Sequence, residues 1–132
     1  MTASQLIEGD GFQIALEQHS GYLRAHVFGG HDSLAVSIGI WRALTAQCQQ
    51  AGVDRLLVIE DLDGTILPTE VEALTAAQIA MGLGRIRVAF VDLRGDEQNN
   101  ELSGLSLREQ DVQALVFGSE PEARAWLLYG ID

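Results

Sequence analysis

The residues with the greatest capacity for chemistry lie in one stretch, Ile-Glu-Asp-Leu-Asp-Gly-Thr-Ile-Leu-Pro-Thr-Glu, residues 59–70. Asp61 and Asp63 set two carboxylates one residue apart at the end of an apolar run. Gly64 permits a sharp turn there, and Thr65 can support that turn by hydrogen bonding. Thr69 and Glu72 match a Thr-x-x-Glu capping box at the start of a helix, with Pro68 keeping the helix from extending backwards. A hydroxyl at a helix amino terminus also faces unpaired N–H groups, which would favour an added phosphate, while Asp61, Asp63, Glu70 and Glu72 would repel it.

Other constellations are weaker. His26 and His31 flank a strand end next to Asp32 and Ser33, but the third histidine, His19, belongs to a distant turn, so surface and capping roles are expected rather than a metal site or a nucleophile triad. Cys48 is the only cysteine, which leaves no intramolecular disulfide and no cysteine-based zinc site. Arg94-Gly95-Asp96 reads as a solvated loop. Met81-Gly82-Leu83-Gly84 reads as a helix end, and Trp41 and Trp126 as core or boundary residues. No feature singles out a pocket, and no cofactor or metal is expected.

The 132 residues suit a single domain, 1–132, and a hydrophobic content of 47% supplies a core. The net charge is -11, and all eight basic residues are arginines. So acidic a surface repels phosphate backbones and anionic membranes, so no nucleic acid is expected as partner. No run is long enough to cross a bilayer, and no leader pattern opens the chain, so membrane insertion is not expected and a cytoplasmic setting is.

These groups must be positioned by elements that the periodicity defines. Residues 12–18 and 22–28 alternate apolar and polar around a turn at Gly21, which predicts a hairpin. Leu34, Ile38, Trp41, Leu44 and Cys48 recur at helical spacing, after Asp32 and Ser33 as candidate caps, up to Gly52. Strands follow at 55–61, 86–93 and 113–118, and helices at 69–84, 99–110 and 120–130. Alternation of this kind predicts an α/β fold: a mixed, mostly parallel five-stranded sheet with an N-terminal hairpin and about four helices. Residues 1–11 are expected to be a flexible N-terminus.

Two resemblances follow from these residues. Asp61-Leu62-Asp63-Gly64-Thr65 is similar to the nucleophile loop of haloacid-dehalogenase-type phosphatases. That resemblance implies that Asp61 attacks phosphorus, that Asp63 serves as acid and base, and that both hold magnesium. The chain lacks lysine for the phosphate charge, and it has Val91-Asp92-Leu93-Arg94 where that family ends its next core strand in Ser or Thr. Glu60 stands where an apolar residue usually precedes the nucleophile.

Over about residues 12–129 the order of elements resembles the STAS domains, whose founding type is the SpoIIAA anti-anti-sigma factor. Residues 114–128, Ala-Leu-Val-Phe-Gly-Ser-Glu-Pro-Glu-Ala-Arg-Ala-Trp-Leu-Leu, are similar to their last strand and helix. Arg-Ile-Arg-Val-Ala-Phe-Val-Asp-Leu at 85–93 fits a core strand, and Leu-Leu-Val-Ile-Glu-Asp-Leu-Asp-Gly fits the strand before a divergent regulatory loop. The resemblance implies a non-enzymatic, protein-binding domain of bacterial signalling. Its contact loop would run through Asp61, Asp63, Gly64, Thr65, Thr69 and Glu70, with Thr69 closest to the phosphorylated serine. A protein partner is expected, self-association is left open, and a degenerate phosphohydrolase using Asp61 and Asp63 with magnesium is the alternative.

Overall fold

The computed structural model describes residues 3–94 and 97–130. Gly95 and Asp96 of the Arg-Gly-Asp triplet lie outside them. The strands are β1 (Ala3–Gly9), β2 (Phe12–His19), β3 (Tyr22–His31), β4 (Arg55–Asp63), β5 (Arg87–Asp92) and β6 (Ala114–Phe117), and the helices are α1 (Leu34–Ala51), α2 (Val71–Ala80), α3 (Glu97–Glu109) and α4 (Glu120–Tyr129). Short 3₁₀ turns at Pro68–Glu70 and Leu83–Arg85 flank α2.

The fold is α/β, and its single mixed sheet has six strands in the order β1-β2-β3-β4-β5-β6. The first three are antiparallel and the last four parallel. This corrects the count of five. The additional strand is β1, which pairs with β2 from Ala3↔Gln18 to Gly9↔Phe12, where a flexible N-terminus was expected. Its sequence, Ala-Ser-Gln-Leu-Ile-Glu-Gly, is short of apolar residues because an edge strand has little to bury. Ile7 packs on the core while Leu6 is exposed.

Alternation builds the hairpin, with Phe12, Ile14 and Leu16 buried and the intervening residues only partly so. In the central strand β4, Leu56, Leu57, Val58 and Ile59 are all buried, because helices cover both faces of that part of the sheet. Ser33 opens α1 by accepting a hydrogen bond from the Val36 N–H at 3.2 Å, and Gly52, at φ 68°, closes it.

Each parallel strand is added beside its predecessor, so right-handed crossovers set the intervening helices on one face. On that face Ile40, Trp41 and Leu44 of α1, Val71 and Leu74 of α2 and Leu107 of α3 join Leu56, Val58 and Val88 in one core. On the other, Ala123, Trp126 and Leu127 of α4 pack against Leu57, Ile59, Ala89 and Val91.

Candidate functional site

The site lies at the carboxyl ends of β3, β4 and β5, where parallel α/β sheets commonly bind ligands. A shift in register between Phe28 and His31 brings His31 opposite Asp63, and the Asp32 N–H donates to the Asp63 carbonyl at 2.6 Å. Gly64 then turns the chain at φ 75°. A Cβ at Gly64 would stand 2.6 Å from His31 Nε2, so this position needs both the glycine backbone and the absence of a side chain.

Strand parity divides the acidic residues into two groups. Asp61 and Asp63 continue the row of Leu57 and Ile59, toward the α4 side. There Arg94 takes both: its Nε donates to Asp61 Oδ1 and its Nη1 to Asp63 Oδ1, each at 2.6 Å. The two carboxylates, Asp61 first, hold the Arg94 guanidinium pKa above its ordinary value. A positive charge in this lysine-free chain is therefore supplied by Arg94, just past the end of β5, and it occupies the two groups that a magnesium-dependent phosphoryl transfer would use.

Glu60 continues the other row, after Leu56 and Val58, and faces the α1–α3 core. Its register partner on β5 is Asp92, and Asp32 enters from the end of β3. Burial first, then the charges of Asp32 and Asp92 and a hydrogen bond with Asp32, push the Glu60 carboxyl up to about 8. Asp32 is also raised by burial, although the Ser37 hydroxyl and the Ser33 N–H donate to its Oδ1 at 2.7 and 2.9 Å and oppose that rise. Asp92 accepts from the Arg94 N–H at 2.9 Å and from Asn100 Nδ2 at 2.8 Å.

These three carboxyl groups line a cavity of about 70 Å³ under the loop, walled by Trp41, Gln78, Phe90 and Leu107 among others. Sequence reasoning singled out Asp61 and Asp63 and missed Glu60 as a site. The available signal was a carboxylate interrupting an apolar row that resumes at the buried Leu62.

The remaining loop residues are tethered separately. Asn99 Nδ2 donates to Thr65 Oγ1 at 3.1 Å and to the Ile66 carbonyl at 2.8 Å. Thr69 is the exposed middle residue of the 3₁₀ turn, and its hydroxyl makes no hydrogen bond among the described residues. The expected Thr69 cap is thus not formed. Glu70 takes the capping position of α2, and its Oε1 accepts from the Leu67 N–H at 2.9 Å. Thr69 lies inside the 3₁₀ turn, and Glu70 rather than Thr69 directly precedes Val71, the first helical residue, so the Thr-x-x-Glu spacing falls one residue early. No hydrogen bond or ion pair joins Thr69 or Glu70 to Asp61 or Asp63 among the described residues.

Among the described residues, no group of three or more His, Cys, Asp or Glu side chains is arranged to hold a metal ion, and no helix is long and apolar enough to cross a membrane. Comparison with known proteins finds no family model, no curated protein and no solved structure that matches this chain.

Proposed function

We propose that the chain is a STAS-like, non-enzymatic regulatory domain that binds another protein through residues 61–70 and the adjoining helix surface, in a bacterial cytoplasmic setting. The observation that carries this reading is the apolar display at that edge. Leu67 is 59% exposed, Leu102 44% and Leu105 48%, and Pro68, Leu102 and Leu105 line an open groove of about 660 Å³ together with Glu101 and Arg108. Clustered exposed leucines rimmed by polar residues are a common mark of a docking surface. The net charge of -11 favours a partner segment with apolar anchors and basic flanks. Thr69 follows Pro68 at the edge of this groove and is exposed, where a phosphate would alter the surface charge.

The test is site-specific photo-cross-linking in the cells of origin, with the probe placed in turn at Leu67, Leu102 and the exposed Tyr129 on α4. The reading expects one common adduct from the first two positions and none from the third. The same pattern at all three, or no adduct at Leu67 and Leu102, would refute it. The alternative, a phosphohydrolase using Asp61 and Asp63, requires magnesium to displace Arg94 from both carboxylates. Magnesium-dependent turnover of a phosphomonoester that is lost in Asp61→Asn would establish it instead.

A further inference from the structure

We infer that the cleft at the amino ends of β4 and β5 is a binding site for a phosphate group, free or carried on a small hydroxylated molecule. Arg55, Arg85 and Arg87 would share the phosphate oxygens.

Strand register assembles the site. Arg55 and Arg87 are direct partners across β4 and β5, and they continue the rows of Leu57 and Ala89 on the α4 face. Arg85 comes from the 3₁₀ turn that leads into β5. All three line one cleft of about 270 Å³, so three of the eight basic residues meet at one place on a chain of net charge -11. They have no counter-charge there. The ion pairs among the described residues belong to His19, Arg24 and Arg94, and none involves Arg55, Arg85 or Arg87.

A second observation concerns Arg87 alone. Its guanidinium carbon lies 4.1 Å from the centroid of the Trp126 ring, and its Nε is buried without a hydrogen-bond partner. An aromatic face compensates a desolvated cation only in part, and a buried donor left unmatched is exceptional in a folded protein. The stacking holds the guanidinium in place, and its terminal nitrogens make no hydrogen bond among the described residues. A fixed, partly desolvated positive charge without a partner is the condition that a bound anion relieves.

The lining narrows the class of anion. Three guanidinium forks present more N–H donors than the two oxygens of one carboxylate can receive, whereas a phosphate group offers three terminal oxygens and a second charge. Asp54, Asp111 and Gln113 complete the lining. The two carboxylates are acceptors for hydroxyl groups, and they repel a second phosphate, which sets the site against a polyanion. The volume is roughly that of nine waters at their share of the liquid, more than one phosphate fills, so a body of a few carbons has room.

The experiment titrates ¹⁵N-labelled protein at about pH 8, where a phosphate group with a second pKa near 6 carries two charges. The titrants are inorganic phosphate, glycerol 3-phosphate, glycerol, sodium acetate and sodium succinate, at constant ionic strength. The reporters are the Arg87 Nε–H and the Trp126 indole N–H, assigned by their loss in Arg87→Lys and Trp126→Phe. Both phosphates should give a saturable shift of both reporters, and the other three solutes none. Tighter binding of glycerol 3-phosphate identifies a carried phosphate, and equal binding identifies the free ion. Arg85→Gln, at an exposed position, should weaken phosphate binding at least about tenfold, the loss expected for removing one charged partner of a hydrogen-bonded ion. Arg55→Gln carries the same expectation.

The inference is overturned if succinate or acetate shifts the reporters as strongly as phosphate, which would make the cleft a general anion-attracting surface. It is also overturned by equal phosphate binding in both folded variants, or by no saturation up to roughly 100 mM, the weak range open to a ligand of so few atoms. The cleft lies at the opposite end of β4 from Asp61 and Asp63, and cross-linking at Leu67 and Leu102 does not depend on it, so the two proposals fail separately.

Discussion

Replacing Glu60 by Gln keeps the shape of the side chain and removes its charge, and the consequence for stability should reverse with pH. The folded protein holds the Glu60 proton up to about 8, whereas the ordinary value is 4.5. Between those values folding takes up a proton. The contribution of Glu60 is therefore fully present below about 4.5 and is lost progressively as pH rises to about 8. At about 1.4 kcal/mol per pH unit, that interval sets a ceiling of about 5 kcal/mol. Asp32, raised in the same direction, shares the proton and ionises more readily once Glu60 is gone, so the two titrate as a pair and the measurable change is smaller. We expect the stability of Glu60→Gln relative to wild type to improve by roughly 2–4 kcal/mol between pH 5 and pH 9. Urea unfolding at pH 5, 7 and 9, with equal denaturant slopes, measures the gap directly. A gap that does not change with pH, or that favours the wild type more strongly at pH 9, would refute the assignment of Glu60 as a buried, proton-holding group.

Four further outcomes are expected. Thr69→Ala should leave stability nearly unchanged, because its hydroxyl caps nothing, whereas Glu70→Ala should cost about 0.5–1 kcal/mol through loss of the bond to the Leu67 N–H; chemical denaturation separates the two. Thr69→Asp should keep the fold and weaken cross-linking at Leu67, and unaltered cross-linking would remove the phosphoswitch. Gly64→Ala should lower stability by about 1–2 kcal/mol through its positive φ, with a further loss from the contact with His31 that His31→Ala in the same chain relieves, as thermal melts of the single and double variants would show. Leu57→Ala, at a fully buried position of β4, should cost about 2–5 kcal/mol by calorimetry.

The parts of the fold legible in the sequence are those where burial imposes a period. β2 and the first half of β3 alternate, β4 is apolar on both faces, and α1 carries its Ser33 cap and its glycine stop in the expected places. β1 was not legible because an edge strand exposed on one side buries few side chains, and pairing through the backbone leaves no mark on residue type. The end of β3 extends to His31 through an irregularity that no local pattern encodes. At the site, Asp61 and Asp63 stood out because a single residue, Leu62, separates them in sequence. Asp32, Glu60 and Asp92 come from three separate segments, and only the strand register places them together. The same holds for Arg94, whose guanidinium meets Asp61 and Asp63 across more than thirty residues of chain.

Because every strand hydrogen-bonds to the one preceding it, the sheet can be extended in the order in which the chain is synthesised. The pairing of β2 with β3 uses no residue beyond His31, so it needs no later part of the chain, and each later strand has a preceding strand as its neighbour. No strand must wait for a distant one to be inserted between it and its neighbour, so the loops to be closed stay short and the entropic barrier to each addition stays low. The cluster of Asp32, Glu60 and Asp92 follows the same timetable. Addition in chain order would join its first two members through the pairing of β3 with β4 and the third only through β5, so the crowding of negative charge would come after the supporting strands β3 and β4 have paired.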